Sequence, residues 1–287
     1  MSGEPTRWSR LRRRFSSAPE PVAAPVASPP TPPPPPPRPA APVIVLQASH
    51  IGPAHTAQGL PNQDAVATIT SGRWAVVAVA DGLGQSGPRS QEAAQMAVDE
   101  VIATLTLYLP EGDEDVITWP NAAHAALYEA GRAIERTLWE GQSDQPAATL
   151  SCAAVTVDDD EAVVSWASVG DSPIGVVHAD GDLEWLTRQI AVNPLTPASP
   201  DSLPRHLDHF VYGEAVLTPG DALFCCTEGL AEAILKHPRE FVAFFQSAFV
   251  AENPQERFRT LVEDPQASQR DRSIVAYGWF GEDISAS

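Results

Sequence analysis

The sequence predicts an α+β fold in which two antiparallel sheets pack face to face, with helices on both outer surfaces. Short apolar runs separated by turn residues recur along most of the chain, which indicates strands joined by hairpins. Helical spacing of apolar residues is confined to two blocks, one after the first hairpin and one near the C-terminus. One block on each outer surface would bury the apolar faces of both sheets, giving a four-layer α/β/β/α sandwich.

The first predicted elements are a strand, a hairpin and two helices. Residues 49–61 are rich in Gly, Pro and small polar residues and are predicted to form a loop. A hairpin turn is expected at Ser71-Gly72, and apolar residues spaced by three and four predict two long amphipathic helices after it. In order, the predictions are a strand at 43–48, strands at 65–70 and 74–80, and helices at 86–107 and 120–140.

The second part of the chain is predicted to contain mostly strands, followed by helices and a closing strand. Asp180-Gly181 is the strongest hairpin signal, whereas the acidic residues 158–160 are interpreted as a solvated turn rather than a metal loop. The proline-rich stretch 189–207 is a candidate surface flap. The predicted strands are 148–157, 162–168, 174–179, 183–187, 209–217, 222–227 and 272–279, and a helical pattern covers 230–261 with breaks near Pro238 and Pro254.

Residues 1–42 are predicted to be a disordered, basic and Pro-rich tail ahead of a single domain at 43–287. The tail carries six Arg and two Glu, and its unbroken proline run at 32–37 favours an extended polyproline helix. Three roles are open for it: a solvated tail, a tether to an anionic membrane or acidic protein partner, or a docking site for a polyproline-binding protein.

Composition and cysteine usage limit the classes of function. The net charge of −19 argues against a general nucleic-acid binder, which needs a basic surface. Cys152, Cys225 and Cys226 lie in apolar strand-like runs without zinc-ligand spacing, so we expect buried, reduced thiols. No apolar run is long enough to span a bilayer, and the N-terminus lacks the apolar segment of a secretion signal. Together these features predict a cytoplasmic protein.

Acidic residues stand at the ends of five predicted strands. In the clearest case, the apolar run 74–80 ends on Asp81 and Gly82, a pair that on its own is more often an ordinary turn. Carboxylates that converge from several strands cannot all stay ionised without a cation. A hard divalent cation, Mg²⁺ or Mn²⁺, suits such oxygen ligands. The other four acids are Asp64, Asp171, Glu228 and Asp271.

Six short motifs follow one another along the chain: Asn62-Gln63-Asp64, Val79-Ala80-Asp81-Gly82-Leu83-Gly84, Ala148-Thr149-Leu150, Val169-Gly170-Asp171-Ser172, Thr227-Glu228-Gly229-Leu230 and Asp271-Arg272-Ser273. In this order they resemble the metal-dependent Ser/Thr protein phosphatase family (PPM, type 2C) in its bacterial form. The resemblance covers about residues 43–280. The family's fold, a β-sandwich flanked by helices, agrees with the fold predicted above.

The resemblance implies a site for two Mg²⁺ or Mn²⁺ ions, with a third ion as an option. Asp81 would bridge the two ions, the carbonyl of Gly82 would bind one of them, and Asp271 would hold the second. Glu228 stands where the family usually has an Asp as a further ligand of the second ion. Asp171 resembles the acid that serves the optional third site.

The implied reaction is hydrolysis of phosphoserine or phosphothreonine in proteins by a water that the two ions activate. Asp81 and Asp64 would be the catalytic residues, with Asp64 acting through metal-bound water. The alternative is a pseudophosphatase, a binding module that recognises a phosphorylated or regulatory partner without turnover.

The substrate-binding residues stay unassigned, because the sequence departs from the family at one position. Gly59 stands where the family commonly has an Arg that binds the substrate phosphate. Four other residues could bind the phosphate instead, namely His50, His55, Arg73 and Arg89.

Four further departures concern the acids and their neighbours. Leu83 replaces a His that is proposed as general acid in many eukaryotic members. Glu228 in place of Asp moves the carboxylate by about 1.5 Å if the backbone stays in place. Pro173 and Arg272 replace the usual Arg and Asn after their acids. These changes lower the expected activity but keep the acids that would bind metal.

Overall fold

The computed structural model describes residues 43–72, 74–83, 88–108, 119–141, 145–158, 161–187, 201–264 and 268–279. The predicted tail at 1–42, the turn residues Asp159 and Asp160, and most of the predicted flap lie outside the described residues. Within these ranges, no helix has the length and apolar character needed to cross a membrane.

Eleven strands occur in the described residues: β1 (Val43–His50), β2 (Asp64–Ser71), β3 (Trp74–Leu83), β4 (Ala147–Ala148), β5 (Leu150–Asp158), β6 (Glu161–Val169), β7 (Ile174–Val177), β8 (Leu183–Trp185), β9 (Val211–Leu217), β10 (Ala222–Cys226) and β11 (Arg272–Trp279). One sheet has the order β1-β11-β10-β7-β8 and the other β2-β3-β5-β6-β9, with β4 paired to β3. All these strand pairs are antiparallel.

Six α-helices accompany the strands in the described residues: α1 (Pro53–Gln58), α2 (Pro88–Leu107), α3 (Trp119–Ile134), α4 (Glu228–Lys236), α5 (Pro238–Phe249) and α6 (Pro254–Glu263). A π-helical turn at Glu135–Trp139 continues α3. Apart from α1, which precedes β2, the helices form the two predicted blocks, the first after the β2–β3 hairpin and the second before the closing strand.

Three apolar cores separate four layers, which confirms the predicted α/β/β/α sandwich. Val76 and Ala78 of β3 lie in the core shared with α2 and α3. Val77 and Val79, on the opposite face of β3, belong to the core between the two sheets. The third core lies between the first sheet and the helices α4 to α6. Because β3 is buried on both faces, its sequence is a continuous apolar run rather than an alternating one.

The third core is built around phenylalanines. Phe245 of α5 is fully buried, and its ring centroid lies 5.2 Å from that of Phe241, 5.5 Å from Phe224 and 5.9 Å from Phe258. These rings meet edge-on or tilted, and the edge-on arrangement is one that the aromatic quadrupole favours. The core therefore fixes α5 and α6 against the sheet that carries β10 and β11.

The structure differs from the predicted elements in one place near the site. Residues 53–58, predicted to be loop, form the short helix α1. The signals for it are present in the sequence, since Pro53 occupies the first turn and Gly59 ends the helix in the left-handed conformation at φ 67°. The adjacent thiols Cys225 and Cys226 are buried and free, and they lie in different cores because successive side chains of a strand point to opposite faces.

Phe245→Ala should lower the free energy of unfolding by about 3–5 kcal/mol, because it opens a cavity among several aromatic rings. Urea denaturation followed by circular dichroism measures this. Leu235→Ala on α4 is the control, since Leu235 is 48% exposed and its loss should cost much less. Equal losses in the two variants would contradict the assignment of this core.

Candidate metal centre

Five acidic side chains come from five different strand ends and meet near Asp81. Asp64, the first residue of β2, pairs directly with Asp81 of β3. Burial raises the pKa of Asp81 well above its usual value, and the charges of Asp64, Asp171, Glu228 and Asp271 raise it further. The structure therefore brings together all the acids that the sequence singled out.

One of the two carboxylate oxygens of Asp64 accepts a hydrogen bond from a threonine hydroxyl. The Thr227 hydroxyl donates to Oδ2 of Asp64 over 2.8 Å, and the backbone N–H of Ser273 donates to that hydroxyl over 3.0 Å. Oδ1 of Asp64 is buried and has no hydrogen-bond partner among the described residues. Burial is the main cause that raises the pKa of Asp64 to about 7, although the bond from Thr227 lowers it.

Asp81 and Gly82 are fixed through their backbones. The hydroxyl of Thr149, in the third sequence motif, accepts from the Asp81 N–H over 3.1 Å, and the Thr149 N–H donates to the Asp81 carbonyl over 2.9 Å. A Cβ at Gly82 would lie 2.3 Å from the carbonyl oxygen of Ser90 and 2.7 Å from that of Gln63. Glycine is therefore required where the end of β3 passes between α2 and the residues before β2.

Asp271 connects three chain segments. Its Oδ1 accepts from the N–H of Gly52 over 2.6 Å, and its Oδ2 accepts from the N–H of Gln63 over 2.6 Å and from Nδ1 of His55 over 2.8 Å. A carboxylate offers about four lone-pair sites, so these donors leave room for a further ligand on Oδ1. Asp271 thus ties α1 and the start of β2 to β11.

Two glycines hold the backbone beside Asp271. A Cβ at Gly229 would lie 2.0 Å from the carbonyl oxygen of Asp271, and a Cβ at Gly52 would lie 2.3 Å from the carbonyl carbon of Arg270. Any larger residue at either position would push the 270–271 backbone away. The glycine that follows Glu228 in the sequence is therefore explained by the close contact between α4 and the start of β11.

Glu228 is bound by an arginine that the sequence motifs did not single out. Nη1 of Arg270 donates to Oε2 of Glu228 over 2.5 Å, and Nε of Arg270 lies 3.5 Å from Oε1 of Glu232. Burial raises the pKa of Asp171, and the positive charge of Arg270 opposes part of that rise. The signal that could have found this arginine was its position, since Arg270 directly precedes Asp271.

The four residues considered for phosphate binding have different surroundings in the structure. His55 is paired with Asp271. Arg89 donates to the carbonyl of Leu138 over 3.0 Å and lies 3.5 Å from Glu92. His50 ends β1, and Arg73 lies outside the described residues.

Carboxylate oxygens without a partner lie near Asp81, and oxygens of this kind suit a hard divalent cation. Oδ1 of Asp64 and Oδ1 of Asp171 are buried oxygens with no hydrogen-bond partner among the described residues. Such oxygens are costly to bury unless a proton or a cation compensates them. Glu228 is already bound by Arg270, so a cation there would compete with the guanidinium, whereas Asp271 keeps room for a ligand on Oδ1.

A second cluster of acidic and histidine side chains, which the sequence analysis did not predict, lies elsewhere in the fold. Across the described part of the chain, Asp201, His206 and His209 form the one set of three such side chains whose ligand atoms all lie within 4.8 Å of one another. The five acids near Asp81 are therefore spaced more widely. The N–H of Ser202 donates to Nδ1 of His206 over 2.9 Å, so the neutral ring carries its proton on Nε2, which faces Asp201 at 3.7 Å. That proton disfavours a metal at this nitrogen.

Comparison with known proteins relates this chain to phosphatases. A family model described as protein phosphatase 2C matches residues 51–264. The catalytic domain of the serine/threonine phosphatase PstP, solved with two manganese ions, is 19% identical with a TM-score of 0.62 over 83% of this chain and 98% of that one. PstP/Ppp of Mycobacterium tuberculosis has 19% identity and a TM-score of 0.60 over 83% and 99% of the two chains. The serine/threonine phosphatase of S. agalactiae has 17% identity and a TM-score of 0.59 over 83% and 99%.

At these identities the solved structures show a shared fold. No curated protein sequence was found that matches this chain. The segment matched by the family model ends at residue 264, so the place of Asp271 beside the other acids is a finding of the structure itself.

Without divalent cations, the protein should lose stability as the pH rises from about 4 to about 7. An unfolded Asp has a pKa of about 3.9, whereas burial raises the pKa of Asp64 to about 7 in the folded state. In that window the folded state binds more protons than the unfolded state, so raising the pH favours unfolding. Thermal melts in a chelator between about pH 5 and about pH 8 measure this slope.

Asp64→Asn should reduce that slope, because an amide carries no titrating proton, while Asp81, whose pKa is also raised, still contributes to it. The exposed Asp208, 86% accessible, provides the control variant Asp208→Asn, which should keep the wild-type slope. An unchanged slope in Asp64→Asn would show that Asp64 ionises normally in the fold.

Proposed function

This chain belongs to the protein phosphatase 2C family, and on that premise we propose that it hydrolyses phosphoserine and phosphothreonine in proteins with Mg²⁺ or Mn²⁺ as cofactor. The observation that carries the proposal is the convergence of Asp64, Asp171, Glu228 and Asp271 on Asp81. These four charges come from strand ends that are far apart in the sequence. A buried group of like charges is unfavourable for stability, which is the usual sign that a fold maintains it for a ligand.

The proposed ligands of two ions are Asp81, the Gly82 carbonyl, Glu228 and Asp271, with Asp171 for an optional third ion. When bound, such ions lower the pKa of a water and offset the charge of the phosphoryl group. Asp64 would accept a hydrogen bond from the attacking water at Oδ1, which has no other partner among the described residues. Thr227 would keep the carboxylate of Asp64 in that orientation through Oδ2.

The cysteines support attack by water rather than by a side chain. Burial raises the pKa of Cys152, Cys225 and Cys226, so these thiols stay protonated and enclosed in the cores. A thiol in that state is a poor nucleophile. Free, buried thiols are also typical of a reducing compartment, so the proposal places the protein in the cytoplasm.

Phosphoproteins are the proposed partners, and nucleic acid is not among them, because the chain carries a net charge of −19. The six arginines of residues 1–42 contrast with this acidic domain. We therefore keep the tail as a proposed tether to an acidic protein or an anionic membrane.

A pseudophosphatase is the second candidate, and two observations favour it. The first is that Arg270 binds the carboxylate of Glu228, a proposed ligand of the second ion. Gly59 also supplies no side chain to bind phosphate. A protein that held one ion and a phosphorylated partner without turnover would fit these features.

Asp81→Asn should lower phosphate release from a phosphothreonine peptide in Mn²⁺ by at least about 100-fold, since losing even an outer-shell partner of a metal costs 10–100-fold. Release of inorganic phosphate measures the rate. Asp99→Asn is the control, because Asp99 is exposed on α2 and should leave the rate unchanged.

Equal release by the wild type and Asp81→Asn would refute the enzymatic proposal. If the wild type binds Mn²⁺ and the phosphopeptide but releases no phosphate, the second candidate is supported instead.

A further inference from the structure

We propose that Arg270 is an exchangeable cation of this centre, bound to Glu228 when no divalent ion is present and to the phosphoryl group when an ion has taken Glu228. This inference rests on the proposed function, because it assumes that a phosphorylated group enters the site. It concerns binding and does not require that the protein turns substrate over.

The position of the guanidinium is the first support. Arg270 contacts Glu228 at 2.5 Å and lies 3.5 Å from Glu232, one turn later on α4. Residues four apart lie on the same helix face, so the guanidinium spans two carboxylates. Its charge also acts on Asp171. Arg270 therefore lies at the edge of the same group of acids that surrounds Asp81.

The exposure of the two partners is the second support. The Arg270 side chain is 56% exposed, whereas that of Glu228 is 21% exposed. The guanidinium thus approaches a mostly enclosed carboxylate from the solvent side. It is able to leave toward solvent, or toward a ligand entering from solvent, without disturbing buried groups.

The backbone of Arg270 is fixed by close packing. Gly52 and Gly229 pack directly against the 270–271 backbone, and the N–H of Arg270 donates to the Ser268 hydroxyl over 3.1 Å. A long side chain on a fixed Cα moves its charge by rotation about side-chain bonds alone. The centre need not rearrange when the guanidinium changes partner.

Arg272, on the other side of Asp271, differs from Arg270 in its burial. Arg272 is fully buried, and its Nη1 donates to the carbonyls of Asp264 and Ser268. It therefore serves the packing below β11 and is not available to a ligand. Of these two arginines that flank Asp271, Arg270 is the one that reaches solvent.

Charge repulsion couples the binding of a divalent ion at Glu228 to the binding of a phosphoryl group at Arg270. A divalent ion and a guanidinium repel each other, so both cannot bind Glu228 at full strength. An ion at Glu228 would displace Arg270, whose planar donors match the oxygens of a phosphoryl group in a bidentate manner. By linkage, each ligand would then raise the affinity of the other.

Arg270→Gln should therefore change two affinities in opposite directions. Mn²⁺ should bind about 5- to 10-fold more tightly in the absence of phosphate, because no guanidinium competes for Glu228. Inorganic phosphate, at saturating Mn²⁺, should bind about tenfold more weakly. Isothermal titration calorimetry of the full chain measures both constants, and thermal shifts check them.

Two variants serve as comparisons. Arg239→Gln removes an exposed arginine at the start of α5 and should change neither constant. Arg270→Lys keeps the charge but not the bidentate geometry, so its phosphate affinity should lie between those of the wild type and Arg270→Gln. It also keeps the test valid if Arg270→Gln folds poorly.

Weaker binding of both ligands by Arg270→Gln would mean that Arg270 only supports the structure, and would overturn the proposal. So would two unchanged constants, or a complete lack of Mn²⁺ binding by every variant. The proposed hydrolysis is judged separately by phosphate release, so a protein that binds as described but releases nothing would refute only the enzymatic function.

Discussion

The structure depends on keeping several negative charges together at one end of a tightly packed sandwich. Asp81 lies on a strand that is buried on both faces, and its charge is opposed by four acids from other strand ends. In such surroundings ionised carboxylates are unfavourable, and they take up protons or bind cations. The apolar layers on either side of β3 and β11 offset the instability of this arrangement.

Antiparallel pairing explains how distant residues come to share the site. The register of β2 and β3 sets Asp64 opposite Asp81, and the pairing of β10 with β11 sets Cys226 opposite Ile274, which brings Thr227 beside Ser273. The Thr227 hydroxyl connects the two sheets, because it donates to Asp64 of one sheet and accepts from the N–H of Ser273 in the other. A slip of one residue in either pairing would turn an acid away from the site.

The fold could be predicted from local patterns, because the apolar run of β3, the Asp180-Gly181 turn and the prolines at 238 and 254 each carry their meaning within a few residues. The convergence of the acids could be predicted for the same reason, since all five stand at strand ends. The contact of Arg270 with Glu228 could not be predicted, because the two residues lie 42 positions apart and are brought together by the packing of Gly229 on Asp271. The three donors to Asp271 were equally hard to predict, since two of them are backbone groups that almost any residue carries.

The departure at residue 228 and the presence of Arg270 are best understood as one feature. Glu228 is the first residue of α4, where the helix dipole favours a negative charge. A glutamate there extends far enough to meet the guanidinium at 2.5 Å, whereas an aspartate is one methylene shorter and would draw the carboxylate back toward the helix. The longer side chain thus favours the ion pair with the solvent-exposed Arg270 over a position of the carboxylate closer to Asp81. Glutamate at residue 228 therefore accounts for the observed ion pair, and the proposed exchange of Arg270 for a divalent ion starts from that pair.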